Sequence, residues 1–196
     1  EKPDASGQVR TFSIASAPGD GELEIAIRLT DTSFKRYLTS ADIGAAVQVE
    51  GPYGDLALHA DAHRPAVLLA GGIGVTPFRS MVLDAVNRAL PHRLFLFYSN
   101  RKPEDAAFID ELRELEKENP RFKLIAMFTE GEAVQQGNAV EHGHITAEMI
   151  ARHAGDVAAP IFYVAGPPAM VSAMEGLLKN AGVNQRNVRA EKFAGY

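Results

Sequence analysis

The 196-residue sequence predicts an antiparallel β region followed by a doubly wound α/β domain, with the boundary near residues 58–64. Two rhythms carry that prediction. Up to about residue 60, short segments alternate apolar and polar positions between turn residues, the period of strands with one buried face. After Pro65, continuous apolar runs alternate with helical patterns. Strands that are apolar on both faces and interleaved with helices imply a parallel sheet covered on both sides.

The predicted elements follow in order. "RTFSIAS" (10–16), "ELEIAIRL" (22–29) and "AVQVEG" (46–51) are strands, separated by the turn signals "APGDG" and "SADIG". "TSFKRYLTS" (32–40) is a short helix between the last two. In the second half the apolar runs are "AVLLA" (66–70), "RLFLFY" (93–98), "FKLIAMF" (122–128), "IFYVAG" (161–166) and "VRAEKF" (188–193). The helical patterns between them are "PFRSMVLDAVNRA", "PEDAAFIDELRELEKEN", "TAEMIARHA" and "PAMVSAMEGLLKNAG". Residues 135–140 are polar and weakly patterned and read as part of a loop. No internal repeat is evident.

Composition narrows the function classes. Hydrophobic residues make up 46% of the chain, enough for a sizeable core, and the formal net charge of −5 speaks against nucleic acid and anionic membranes as partners. The sequence contains no cysteine, which excludes disulfides, cysteine-ligated zinc and cysteine-ligated iron–sulfur clusters within this chain. The histidines show no metal-ligand spacing. No apolar run reaches the roughly 20 residues that span a bilayer, and no segment reads as a signal peptide. The expectation is a soluble, cytoplasmic protein.

"LLAGGIGVTPFRSM" (68–81) joins the first strand of the α/β domain to its helix. Gly71, Gly72 and Gly74 leave the backbone open to close approach. Thr76 is expected to cap the helix and Pro77 to occupy its first position. A helix N-terminus beside side-chain-free residues, at the C-terminal edge of a parallel sheet, suits a diphosphate. A bare Gly-x-Gly also makes a tight turn with nothing bound. The third Rossmann glycine and a Walker lysine are both missing.

Four other stretches extend the pattern: "RTFS" (10–13), "EGPYGDL" (50–56), "VAGPPAM" (164–170) and the final "EKFAGY". In this order they resemble the ferredoxin–NADP reductase superfamily of flavoproteins. That family carries an Arg-x-aromatic-Ser/Thr motif, a Gly-Pro-x-Gly turn, a Gly-Gly-x-Gly-x-Thr-Pro loop, a Cys-Gly-Pro-Pro loop and a C-terminal aromatic. The resemblance runs from Arg10 onward. It implies an antiparallel flavin-binding barrel in residues 1–62 and an NAD(P)-binding domain in residues 63–196. The barrel would be partial, because the family's first three strands have no counterpart ahead of Arg10. A longer protein, or self-association that completes the barrel in trans, is the corresponding expectation.

The resemblance also implies roles. Arg10 would pair with a flavin phosphate, Phe12 would pack on the flavin ring, and Ser13 would hydrogen-bond its reactive nitrogen. Ile27, Arg28 and Lys35 would wrap the FAD dinucleotide, and Gly51, Pro52 and Gly54 would shape the turn that closes the barrel. Gly72, Gly74, Thr76 and Pro77 would cradle the diphosphate of NAD(P)H. Gly166, Pro167 and Pro168 would line the nicotinamide side, where Ala165 replaces the family's common cysteine. Phe193 and Tyr196 are the aromatic candidates over the flavin. Ser13, Thr76 and Tyr196 are the residues expected nearest the chemistry, with Glu191 a candidate for proton traffic. Arg101 and Lys102 could meet a 2′-phosphate, but Glu130 would repel one, so the lean is to NADH. The implied activity is hydride transfer from NAD(P)H to FAD and onward electron transfer to an unidentified acceptor, such as an iron–sulfur or haem protein. The alternative is a non-enzymatic nucleotide-binding module that keeps the glycine loop without productive flavin binding.

Overall fold

The structure is a computed structural model and describes residues 9–130 and 140–193. Its centre is a six-stranded, all-parallel sheet in the order β4-β3-β2-β1-β5-β6. The strands are β1 (Ala66–Gly71), β2 (Leu94–Asn100), β3 (Phe122–Phe128), β4 (Val140–His142), β5 (Ile161–Gly166) and β6 (Val188–Lys192). Five of them fall on the five apolar runs. β4 was missed: it lies where the sequence reads as loop, and three residues carry too little pattern to declare a strand.

The helices are α1 (Ser33–Ser40), α2 (Thr76–Asn87), α3 (Ile109–Glu118), α4 (Ala147–Ala154) and α5 (Pro168–Asn180). On one face of the sheet, Phe78, Met81 and Val82 of α2 and Leu112 and Leu115 of α3 pack on Leu68, Leu96, Leu124 and Tyr163. On the other face, Ile150 of α4 and Val171, Met174 and Leu178 of α5 pack on Val67, Leu69, Phe97 and Ile125. Strand residues alternate between these two cores, which is why the runs are continuously apolar. Each fully buried Leu or Phe contributes about 1.5–3 kcal/mol. The 103–119 pattern, expected as one helix, is divided. A 3-10 turn (Pro103–Asp105) precedes α3, and Phe108 between them has φ 60°.

The N-terminal region departs from expectation. None of the three predicted strands forms a ladder; one antiparallel bridge, Ile14 to Ile25, is made among the described residues. Alternation specifies which face of a strand is apolar, but a ladder needs a neighbour in register. Without one, Val47 and Val49 are left 71% and 64% exposed. The helix expected over 32–40 does form, with the Thr32 hydroxyl accepting from Lys35 N–H at 3.3 Å.

The connection into β1 is anchored by polar contacts. The His59 backbone N–H donates to the Tyr163 hydroxyl at 2.8 Å, and that hydroxyl meets His59 Nδ1 at 3.0 Å. His59 Nε2 faces the Arg64 carbonyl at 2.9 Å, so it carries the proton and Nδ1 accepts from Tyr163. Burial holds the His59 pKa below its ordinary value. Arg64 donates to the carbonyls of Ala159 and Pro160 at 2.8 and 3.0 Å, and Arg189 donates to that of Ala57 at 2.6 Å.

Candidate functional site

The strand order reverses beside β1: the chain runs outward through β2, β3 and β4, then crosses to β5 and β6. In open α/β sheets ligands bind outside the strand C-termini at such a switch point. Here the glycine turn after β1 and the Gly-Pro-Pro turn after β5 lie side by side at that point, with Ala70 paired to Ala165.

The glycines divide into two kinds. A Cβ on Gly74 would lie 2.2 Å from the Ala165 carbonyl oxygen and 2.7 Å from Gly166 Cα. A Cβ on Gly166 would lie 3.0 Å from the Gly71 oxygen. The close approach at Gly74 is therefore made by the protein's own β5, and its expected place in a ligand cradle can be taken only by backbone. Gly72 differs. Its φ is +53°, and a Cβ there would meet only Arg28 Nη2, at 4.0 Å. Gly72 is the glycine of this turn that faces open space.

Thr76 does not cap α2. A 3-10 turn (Gly72–Val75) runs straight into the helix, so Val75 takes the N-cap position, and both the Thr76 N–H and its hydroxyl are directed to the Ile73 carbonyl. Pro77 is therefore the second residue of the helix rather than the first, and is buried. Pro167 is the N-cap of α5, with Pro168 opening the helix.

A line of backbone pairing leads from this turn to the N-terminal region. Ala165 pairs with Glu191 of β6, and Phe193 N–H extends the pairing to the Gly166 carbonyl at 2.9 Å. The Glu191 carboxyl lies near the Ser13 hydroxyl. Burial raises the Glu191 pKa above the ordinary carboxylate value, with the Ser13 hydroxyl opposing the rise and the Asp55 charge adding to it. Ser13 and the glycine turn, 60 residues apart in sequence, thus flank the same two strand ends. Tyr196 lies outside the described residues.

The remaining expected residues fall into three places. The Arg10 guanidinium sits 5.1 Å from the Phe34 ring centroid, and Phe12 lies 5.8 Å from the same ring. Lys35, next to Phe34, donates through Nζ to the Arg28 carbonyl at 2.6 Å and to Thr30 Oγ1 at 2.9 Å. Its ammonium thereby holds the 28–30 loop. Ile27 is partly buried beside Arg28, whose guanidinium reaches both Gly72 and, at 3.4 Å, Asp105. Gly51, Pro52 and Gly54 are exposed, with φ +146° at Gly51 and +90° at Gly54.

At the ends of β2 and β3 a hollow of about 280 Å³ is lined by Arg101, Lys102, Glu104, Asp105 and Glu130. Arg101 is paired with Glu130 at 3.1 Å, so its charge is already engaged. Sequence reading missed Asp55, whose charge bears on Glu191, and Arg79, whose contacts are described below. A single charged residue in a loop or helix carries no signal of what it will touch.

Glycine turn, switch point and flanking hollow define a dinucleotide-binding domain of the doubly wound class. The family model of the oxidoreductase NAD-binding domain matches residues 68–176, more than half of the chain. The toluate 1,2-dioxygenase electron transfer component of Pseudomonas putida is 30% identical over 191 residues, covering 96% of this chain and 55% of the relative. The reductase component of propane 2-monooxygenase from Mycolicibacterium goodii is 31% identical over 191 residues, covering 94% and 54%. The chain spans about half the length of these relatives. The flavohem-like FAD/NAD-binding domain of nitric oxide dioxygenase from Vibrio cholerae O1 biovar El Tor shares the fold, with TM-score 0.77 at 19% identity over 98% of this chain and 81% of that one. The chain belongs to the oxidoreductase NAD-binding domain family, within the ferredoxin–NADP reductase superfamily.

Proposed function

We propose that the protein is a flavin-dependent NAD(P)H oxidoreductase that transfers a hydride from NAD(P)H to bound FAD and passes electrons to an acceptor protein. One observation carries this reading. The glycine turn touches the end of β5, β5 pairs with β6, and β6 presents Glu191 to Ser13. Residues suited to a nicotinamide and residues suited to a flavin therefore share one strand edge, as direct transfer between two bound cofactors requires.

The residues fit both groups in kind. Gly72, open above its backbone, with the start of α2 behind it, suits a diphosphate, and Arg28 beside it supplies a forked cation. Arg10, Phe12 and Phe34 offer a cation and two rings to a flavin nucleotide. FAD, when bound, supplies the redox chemistry. The chain contributes orientation and a proton path. The Ser13 hydroxyl can donate or accept, and Glu191, held towards its protonated form by burial, can exchange a proton with it. Phe193, anchored through its N–H to Gly166, lies beside the same edge.

NADH is the proposed donor, because Glu130 engages Arg101 and its carboxylate, at the end of β3, would repel a 2′-phosphate. The two relatives named above are components of a dioxygenase and a monooxygenase, which supports an iron–sulfur or haem protein as acceptor. The division into residues 1–62 and 63–196 and a cytoplasmic setting belong to this reading. Among the described residues no helix is long and apolar enough to cross a membrane.

The test is an absorbance spectrum with and without added FAD, followed by anaerobic addition of NADH and NADPH. Flavin uptake, weakened by the partial barrel, and bleaching by NADH are expected. Nucleotide binding without flavin uptake would leave the alternative, a nucleotide-binding module with no redox role.

A further inference from the structure

Arg79 lies on α2, one turn beyond Thr76, with its side chain only 10% exposed. Nε and Nη2 donate to the two carboxylate oxygens of Glu111 on α3, at 2.6 and 2.7 Å. Nη1 donates to the Ala15 carbonyl and to the Glu24 carboxylate, both at 2.8 Å. The guanidinium also lies over the Phe108 ring, 4.5 Å from its centroid. Phe108 itself holds a left-handed backbone with φ 60°, a conformation uncommon for a bulky residue and retained only where surrounding contacts fix it.

Ala15 and Glu24 are not arbitrary partners. They adjoin the Ile14–Ile25 bridge, one on each strand, and Ala15 N–H donates to the Glu24 carbonyl at 2.8 Å. Arg79 therefore grips both sides of the one antiparallel rung made among the described N-terminal residues. Ser13 lies two residues before Ala15, and the nucleotide turn ends at Val75, four residues before Arg79. One side chain links the two halves of the candidate site.

We propose that Arg79 is a positioning residue: it fixes the Ser13 strand against the nucleotide turn and so sets the approach of nicotinamide to flavin. This rests on the oxidoreductase reading above. A forked, buried, bidentate guanidinium is stiff in a way that a lysine ammonium is not. Small displacements between reacting groups cost rate out of proportion to stability.

The test uses the full chain loaded with FAD and two variants. Arg79→Lys keeps the charge and loses the fork. Glu24→Gln weakens only the N-terminal grip and leaves the Glu111 pair intact. Three readouts are taken: amide exchange at Ala15, flavin reduction as a function of NADH, and the long-wavelength charge-transfer absorbance of the NADH complex. Both variants are expected to exchange the Ala15 amide at least tenfold faster, with β1 and β2 amides unchanged. Reduction at saturating NADH should fall at least tenfold while the apparent NADH dissociation constant stays within twofold, and the charge-transfer band should weaken. Unchanged exchange at Ala15 overturns the assignment, as does a wild-type reduction rate in variants whose exchange has risen. A wild-type chain that takes up no flavin overturns the oxidoreductase reading and this assignment with it. A reducible wild type with equally fast variants overturns this assignment alone.

Discussion

The Ala165 carbonyl oxygen stands 2.2 Å from the point where a Cβ on Gly74 would be. Both groups are backbone, so neither can rotate away. Gly74→Ala is expected to destabilise the protein by about 1–3 kcal/mol, the range for overpacking a rigid site. Gly72→Ala meets no clash and should cost only about 1–2 kcal/mol for its left-handed backbone, while weakening NADH binding more. Urea midpoints and NADH titrations of the two variants should rank them in opposite orders. Equal effects on both measures would mean that the two glycines share one role.

Arg10 and Ser13 should separate binding from chemistry. Arg10→Ala removes a charged group from beside Phe34 and is expected to weaken FAD binding by about 1.5–3 kcal/mol, the worth of a charge-assisted contact. Ser13→Ala should leave FAD bound and slow its reduction by NADH, because it removes the hydroxyl that meets Glu191. Stopped-flow traces of Ser13→Ala that match wild type would remove Ser13 from the mechanism.

Buried His59 and half-buried Glu191 predict opposite pH limits. The Glu191 pKa is raised by burial, so its contribution to stability is complete below the ordinary value of 4.5 and is lost as pH rises through the folded value. Glu191→Gln should remove that part of the loss. The His59 pKa is lowered by burial, so its contribution is complete above about 6.5 and is lost as pH falls through the folded value. Tyr163→Phe deprives both the His59 N–H and Nδ1 of a partner and should cost about 1–3 kcal/mol at neutral pH. Thermal midpoints of wild type and Glu191→Gln that track each other between pH 4 and 8 would contradict the first assignment.

Cofactor choice should turn on one ion pair. With Arg101 engaged by Glu130, wild type is expected to show a higher kcat/KM with NADH than with NADPH. Glu130→Gln releases the guanidinium and should move the ratio towards NADPH by about fivefold, corresponding to roughly 1 kcal/mol for an exposed pair. A wild type that prefers NADPH would reverse the proposal.

The α/β half was legible in the sequence because β1, β2, β3 and β5 are buried on both faces and therefore read as largely unbroken apolar runs, while β6 is only partly buried. β4 escaped because Val140–His142 is too short to show a period. The structure brings two of the motif turns together: Gly166 lies against Gly71 at one sheet edge. What each residue does there was not legible. Gly74 reads as a ligand cradle, yet its missing side chain admits the Ala165 carbonyl. Thr76 reads as a cap, yet a preceding 3-10 turn takes its N–H and hydroxyl. The N-terminal segments alternate as strands do, yet one bridge is all they make among the described residues.

The sequence by itself determined the order of elements, the two faces of the sheet and the turns at which a ligand would meet backbone. These depend on periodicity and on backbone freedom, which are local. Only the tertiary structure decided that Arg79 spans α2, α3 and the Ile14–Ile25 rung, that Glu191 meets Ser13 under the influence of Asp55, and that Glu130 occupies Arg101. Each of these joins residues between 29 and 178 positions apart. A charged side chain takes its partner from whatever the packing of apolar faces brings within reach, and that choice leaves no trace in the spacing of the residues themselves.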